Sequence, residues 1–212
     1  MLVPRHPQRF GEVVKLVRKA GLGLQRRSSN DPVLADTRVW LGDSMGEMFA
    51  YYHASDVALI GGSWLPLGGQ NLIEACAVGC PVVVGPHTFN FSAAAEQAIE
   101  AGAAVRASDM DDGIGVALQI LQDPARRSAM GAAENRVAKK MMKAIRPTAT
   151  PPMAARTERR LVADMAFPRI IVSGNETPFH EPPQPGRLAG EGDFLWWVSK
   201  FGVDGADWGR LC

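Results

Sequence analysis

Residues 57–91 read VALIGGSWLPLGGQNLIEACAVGCPVVVGPHTFNF, and this stretch decides the fold. The apolar run VALI, closed by Gly61-Gly62, fits a strand buried in a sheet. A second glycine pair, Gly68-Gly69, leads to a helix expected to open at Asn71, with the carboxylate of Glu74 one turn in. PVVVG then supplies a second short apolar strand. Strand, glycine-rich loop and helix N-terminus in that order offer backbone N–H groups to an anion. A carboxylate in the first helical turn can hold sugar hydroxyls. The outline is that of a nucleotide-sugar site.

The same alternation extends on both sides. Upstream, the strand end LVPRH precedes a helical stretch, PQRFGEVVKLVRKAG, with Phe10, Val13, Val14 and Val17 on one face. A strand (GLGLQRR), a polar loop (SSNDP), the strand TRVWLG and a helix over residues 45–53 follow. Downstream come a helix over 93–101, the strand AAVRA, and a helix pair over 113–121 and from 124 to about 145. Strands separated by helices imply an α/β fold, a parallel sheet with helices on both faces and ligands at the carboxyl ends of the strands. After Arg146 the composition changes: PTATPPMAAR reads as a linker, MAFPRIIVSGNETPF has room for one strand, and the aromatic-rich end GDFLWWVSKFGVDGADWGRLC sustains neither period. The division is a domain over 1–146 and a linker with an unassigned tail over 147–212.

Bulk properties exclude several classes. The 212 residues carry 23 basic and 22 acidic side chains, a net charge of +1 that gives no electrostatic case for nucleic acid or a membrane surface. No run is long enough to span a bilayer, and the first residues show no signal-peptide pattern. Cys76, Cys80 and Cys212 lack the second pair or histidine cluster of a metal site, and read as small apolar residues in a reduced compartment. No GxGxxG, P-loop, Ser/His/Asp order or HExxH pattern occurs, which argues against dinucleotide oxidoreductases, NTPases and common hydrolases.

Three clusters fall at strand-to-helix junctions. In Pro4-Arg5-His6-Pro7, Arg5 is a fixed charge on a short turn, suited to a phosphate through charge-assisted hydrogen bonds of about 1.5–3 kcal/mol; it reads equally as a solvated arginine near a helix start. In Gly42-Asp43-Ser44-Met45-Gly46-Glu47, Ser44 and Glu47 have capping-box spacing. Gly46, expected in the first helical turn, costs roughly 1 kcal/mol there relative to alanine, which makes sense where a ligand approaches the backbone. Asn71 and Glu74 also fit a cap, but two glycine turns around one helix start exceed what a cap needs. His87 and Asn90, after PVVVG, either reach a bound sugar acid or order the loop.

With these residues in view, residues 1–145 resemble the C-terminal half of the 3-deoxy-D-manno-octulosonic acid (Kdo) transferases of lipid A biosynthesis. VPRHPQRF, GDSMGEM and GGSWLPLGGQNLIEACAVGCPVVVGPHTFNF carry the resemblance, over about two thirds of the chain. It implies GT-B architecture, two Rossmann-like domains across a cleft, with this chain supplying the donor-binding half. It implies a site for the CMP of CMP-Kdo built from Pro4 and Arg5, from Met45, Gly46 and Glu47, and from Asn71, Leu72, Ile73 and Glu74, with Arg5 facing the phosphate and Glu74 the ribose. His87 and Asn90 are candidate contacts to the sugar. The family chemistry implies no metal and no cofactor, since positive helix ends and basic side chains stabilise the leaving nucleotide.

By the same resemblance the acceptor is lipid IVA, the general base belongs to an N-terminal domain outside this chain, and the setting is the cytoplasmic face of a bacterial inner membrane, with membrane association only through the full-length enzyme. The isolated chain is expected to bind CMP or CMP-Kdo weakly, to contain no catalytic residue and to transfer nothing alone. Two alternatives stand beside it: a non-catalytic truncated nucleotide-binding module, and another GT-B enzyme using a UDP-sugar.

Overall fold

A computed structural model describes residues 1–144 and 170–174. The linker and aromatic-rich readings, with Cys212 and the helix end at Ile145, lie outside the described residues. Seven short strands form one parallel sheet: β1 (Leu2–Pro4), β2 (Leu24–Arg26), β3 (Val39–Leu41), β4 (Val57–Ile60), β5 (Val82–Val84), β6 (Ala104–Arg106) and β7 (Ile170–Gly174). Their order is β2-β3-β1-β7-β4-β5-β6, and every pairing is parallel. The sheet therefore draws its middle strand from residues 170–174, beyond the composition change at Arg146.

Among the described residues six α-helices lie between the strands: α1 (Phe10–Lys19), α2 (Met48–His53), α3 (Ile73–Val78), α4 (Ser92–Glu100), α5 (Met110–Gln122) and α6 (Pro124–Ala144). The apolar strands are buried on both faces because each face has its own layer. Leu2, Leu41, Val57, Leu59 and Val83 point toward α1 and α5, where Val13, Val17, Ile114 and Ile120 are buried. Val3, Trp40, Ala58, Ile60, Val82 and Ile171 point the other way, into a core with Tyr51, Tyr52, Ala75, Ala95 and Val137. This is the doubly wound, Rossmann-like arrangement expected from the alternation. Among the described residues no helix is long and apolar enough to cross a membrane.

Several boundaries differ from those expected. The first helical stretch opens as a 3-10 turn at Pro7–Arg9 before α1, and Phe10 stays half-buried outside the core that takes Val13 and Val17. The α5 helix starts at Met110, not Gly113, because the Asp109 side chain accepts from the Asp112 N–H and caps it. The Cys76 and Cys80 thiols are buried and free, and burial together with the Glu134 carboxyl pushes both far above the ordinary thiol range.

Glu134, on α6, lies wholly inside the core shared with α3. Neither carboxyl oxygen has a hydrogen-bond partner among the described residues. Burial lifts its pKa from 4.5 to about 10, which the nearby Val82 N–H offsets only in part.

Candidate functional site

The strand order brings the three junction clusters to one edge. Leu2 pairs with Leu41, and the Gly42 N–H donates to the Leu2 carbonyl at 2.8 Å, so the turn at Pro4-Arg5 and the loop at residues 42–47 leave the sheet side by side. On the other flank, Pro4 aligns with Gly174, and Ile60 with Ser173. The Gly61-Gly62 turn thus emerges one strand beyond β7, at the level of Pro4. The chain runs from β1 out to β2 at the sheet edge, returns to β3 beside β1 and then crosses to β4 on the other side of β7, so this edge is the topological switch point, the usual ligand position in such sheets.

In the loop after β3, the acidic side chains are held by the protein itself. The Asp43 carboxylate, nearly inaccessible, accepts from Arg26 Nε at 2.6 Å, from the Ser28 N–H at 2.8 Å and from the Ser28 hydroxyl at 2.6 Å. Burial alone would raise its pKa; the two Ser28 bonds, then Arg26, outweigh burial and hold the carboxyl below its ordinary 3.8. Glu47 accepts from Arg27 Nη2 at 2.9 Å and from the Tyr51 hydroxyl at 3.0 Å, and bonds the Ser44 hydroxyl as well. Burial, and then the Glu47 carboxylate, raise the Tyr51 phenol, whose ring meets Trp40 edge-on at 5.7 Å.

This network corrects two expectations. The capping box does not form: α2 begins at Met48, Glu47 is its N-cap, and Ser44 bonds the Glu47 side chain instead of a helix N–H. Gly46 lies before the helix in the left-handed region at φ +81°, a conformation that glycine adopts freely, with open space around the position of a Cβ. Met45 beside it is 63% exposed. The backbone at 45–46 is thus bare and approachable, while the Glu47 side chain is engaged.

The loop after β4 is ordered by backbone bonds. Gly69 and Gln70 N–H groups donate back to the Gly62 and Gly61 carbonyls at 3.0 and 3.1 Å, closing residues 61–70 on themselves. Buried Ser63 ties this loop to the strand beyond: the Gly85 N–H donates to its hydroxyl at 2.9 Å, and the His87 N–H to its carbonyl at 2.9 Å. A Cβ on Gly68, whose φ is +87°, would sit 2.4 Å from Asn90 Nδ2. Asn90 itself donates to the Leu67 carbonyl at 2.9 Å, which takes up its amide in ordering the loop. His87 is half-buried next to it.

The helix after this loop starts at Ile73, two residues later than expected. Asn71 forms a local turn: its Oδ1 accepts the Ile73 N–H at 3.0 Å, and its Nδ2 donates to Glu74 Oε1 at 3.2 Å. Glu74 is half-buried. Burial raises its pKa above 4.5, while the Asn71 bond and the charge of Arg5 each pull it back in part. Exposed Arg5, at the end of β1, therefore acts electrostatically on Glu74, beyond the end of β4, across β7. Pro4 and Leu72 anchor this pair, Leu72 buried and Pro4 in the sheet.

Of the residues singled out from sequence, the fold brings Pro4, Arg5, Asn71, Leu72, Ile73 and Glu74 to one edge, with residues 45–47 beside them. Sequence reading missed Arg26 and Arg27 as partners of Asp43 and Glu47. The signal was present: an Arg-Arg pair ends a predicted strand, and Asp43 and Glu47 follow the next one in a parallel sheet. The β7 strand was anticipated as a strand, but not its place in the centre.

No family model matches the chain. It is 57% identical over 135 residues to the 3-deoxy-D-manno-octulosonic acid transferase of Bordetella pertussis, covering 63% of this chain and 31% of that protein. To the transferase of the same name from Haemophilus influenzae it is 40% identical over 121 residues, 57% of this chain and 28% of that protein. The chain thus spans about a third of the length of these curated relatives. Among solved structures, it is similar to the C-terminal CMP-Kdo binding domain of WaaA from Acinetobacter baumannii, at TM-score 0.61 and 36% identity, covering 64% of this chain and 72% of that one. A match of that identity over most of a solved C-terminal domain, joined to the same transferase in two further organisms, places the chain in the 3-deoxy-D-manno-octulosonic acid transferase family.

Proposed function

We propose that this chain binds the CMP part of CMP-Kdo, as the donor half of Kdo transfer to lipid IVA. The observation that carries the reading is the pairing of Arg5 and Glu74 at the switch point, a fixed cation close enough for its charge to pull back the raised pKa of a half-buried carboxylate. Arg5 meets the phosphate, and its exposed guanidinium can do so bidentately. Glu74, oriented by Asn71, accepts from the ribose hydroxyls, and the bare backbone at Met45-Gly46 approaches the base, with Glu47 holding that loop in shape. Leu72 and Ile73 set the position of Asn71 and Glu74. His87 stands nearest to the sugar acid, with Asn90 fixing the loop that carries it. Phosphate charge is met by Arg5 in this reading, without a metal or cofactor.

The solved relative is a CMP-Kdo binding domain, which supports the choice of nucleotide. Donor binding is the part of the reaction that these residues carry. Transfer to lipid IVA, and the setting at the cytoplasmic face of the inner membrane, belong to the whole enzyme.

Calorimetric titration of the 212-residue chain with CMP, with UMP as control, tests the reading. Saturable CMP binding is expected, weakened about 10- to 100-fold in Arg5→Ala and in Glu74→Ala, since a charge-assisted hydrogen bond contributes about 1.5–3 kcal/mol. Because an acceptor carboxylate must be ionised, affinity is expected to fall as pH drops through the raised pKa of Glu74. Equal binding of UMP would favour a UDP-sugar enzyme. Binding untouched by either substitution would overturn the site assignment.

A further inference from the structure

The middle of the sheet is made by the strand most distant in sequence from its neighbours. Residues 170–174 pair with β1 at Leu2–Val172, Val3–Ser173 and Pro4–Gly174, and with β4 from Val57–Ile170 through Ile60–Ser173. The Val172 N–H donates to the Met1 carbonyl at 3.0 Å, and the Met1 nitrogen to the Ile170 carbonyl at 2.6 Å. Ile171 is fully buried on the α2–α3 face, while Val172 packs on the α1 and α5 face. The strand is thus bonded on both edges and covered on both faces.

Adjacent strands stand about 4.8 Å apart, so β7 holds β1 and β4 about 9.6 Å from each other. Arg5 follows one of these strands, and the loop from Gly61 to the start of α3, which carries Glu74, follows the other. If β7 left, the two facing edges would either keep unpaired N–H and C=O groups or close by one strand spacing. Closure would shift Arg5 relative to Glu74 by about 5 Å, far beyond the range of a hydrogen bond.

We propose that residues 170–174 form a site-completing strand: its insertion between β1 and β4 sets the span between Arg5 and Glu74, and nucleotide binding across that span is linked to the docking of β7. The Ser173-Gly174 backbone, between Pro4 and Ile60, is the floor of the site. A ligand that binds only the inserted form stabilises the insertion in turn, by the reciprocity of linked equilibria. The identity of the ligand rests on the donor-nucleotide reading; the place of the strand does not.

Hydrogen exchange of the full 212-residue chain, followed by mass spectrometry with and without CMP, tests the proposal. Amides of 170–174 are expected to be as protected as those of 57–60, and saturating CMP to slow their exchange at least threefold. Ile171→Asp, which puts a charge in the buried slot, is expected to abolish protection at 170–174 and weaken CMP binding at least tenfold, while 82–84 and 104–106 stay protected. Ile171→Ala, a milder change, is expected to lower both in proportion. Fast exchange at 170–174 in the unaltered chain would overturn the proposal. So would either variant if it lost protection there and bound CMP with unaltered affinity. Protection at 170–174 in a chain that binds no CMP would support the insertion while overturning the donor reading, and with it the link to a nucleotide.

Discussion

In the loop after β3, Asp43 takes three donors and Glu47 is bonded by Arg27, Tyr51 and Ser44; at the helix start beyond the loop after β4, Glu74 takes one amide from Asn71 and feels Arg5 from a distance. Both loops begin from the same pattern of strand, glycine and polar residue at a helix start. They end in opposite electrostatic states, with the Asp43 carboxyl held below its ordinary pKa and that of Glu74 raised. A carboxylate already saturated by the protein stabilises the fold. One that is half-buried and under-bonded remains available to a ligand. Glu134, buried with no partner among the described residues, marks the far end of the same scale.

That ranking gives three measurable consequences. The largest belongs to Glu134, whose folded pKa of about 10 lies above its ordinary 4.5. The neutral form is the one the fold accepts, so its contribution is complete below pH 4.5 and is lost as pH rises toward 10. Between those limits the unaltered chain should lose stability steadily with rising pH relative to Glu134→Gln. Urea unfolding of both at pH 5 and pH 9 checks this; parallel curves at the two pH values would show that Glu134 does not carry the penalty.

Next in size, Asp43→Asn should cost about 2 kcal/mol at pH 7, mostly through the buried bonds from Ser28, because Arg26 is half-exposed and its ion pair is screened. The folded pKa is depressed, so this stabilisation is present above pH 3.8 and lost as pH falls further. CMP affinity should change by less than about threefold, at about 0.7 kcal/mol. The smallest effect on folding is expected for Glu74→Gln, within about 0.5 kcal/mol, because a half-buried charge is removed along with its bond. Its CMP affinity should nevertheless fall at least tenfold. If instead Asp43→Asn abolished binding and Glu74→Gln destabilised the fold, the contrast between the two loops would be reversed.

The alternation of strands and helices was legible because VALI and PVVVG are short apolar runs bounded by glycine or proline, the pattern of strands in a sheet buried on both faces. The placement of Arg5 and Glu74 at one edge was legible for a related reason: residues just past the carboxyl ends of such strands lie together. The exact starts of α2 and α3 were not, since left-handed Gly46 and the Asn71 turn each extend the loop past the residue where helix-forming composition begins. The Asp43 and Glu47 partners depend on β2 lying beside β3 in a given register, which no local pattern encodes. The same holds for the slot of β7. RIIVSG announces an apolar strand, but nothing within it says which two strands, some 110 and 170 residues earlier, it separates.

A strand added last to the middle of a sheet also imposes an order of events on synthesis. During translation, β1 through β6 leave the ribosome well before residue 174 exists, so the paired units β2-β3-β1 and β4-β5-β6 can form early, each with a bare inner edge. Joining them requires closing the loop of about 63 residues that runs from the end of β6 to β7, an entropic cost that places the event late and makes it slow. Until then two parallel edges stand open to the wrong strand, including that of a neighbouring nascent chain. Yield and temperature of expression should therefore depend on how fast residues 170–174 arrive, more than on the stability of the finished sheet.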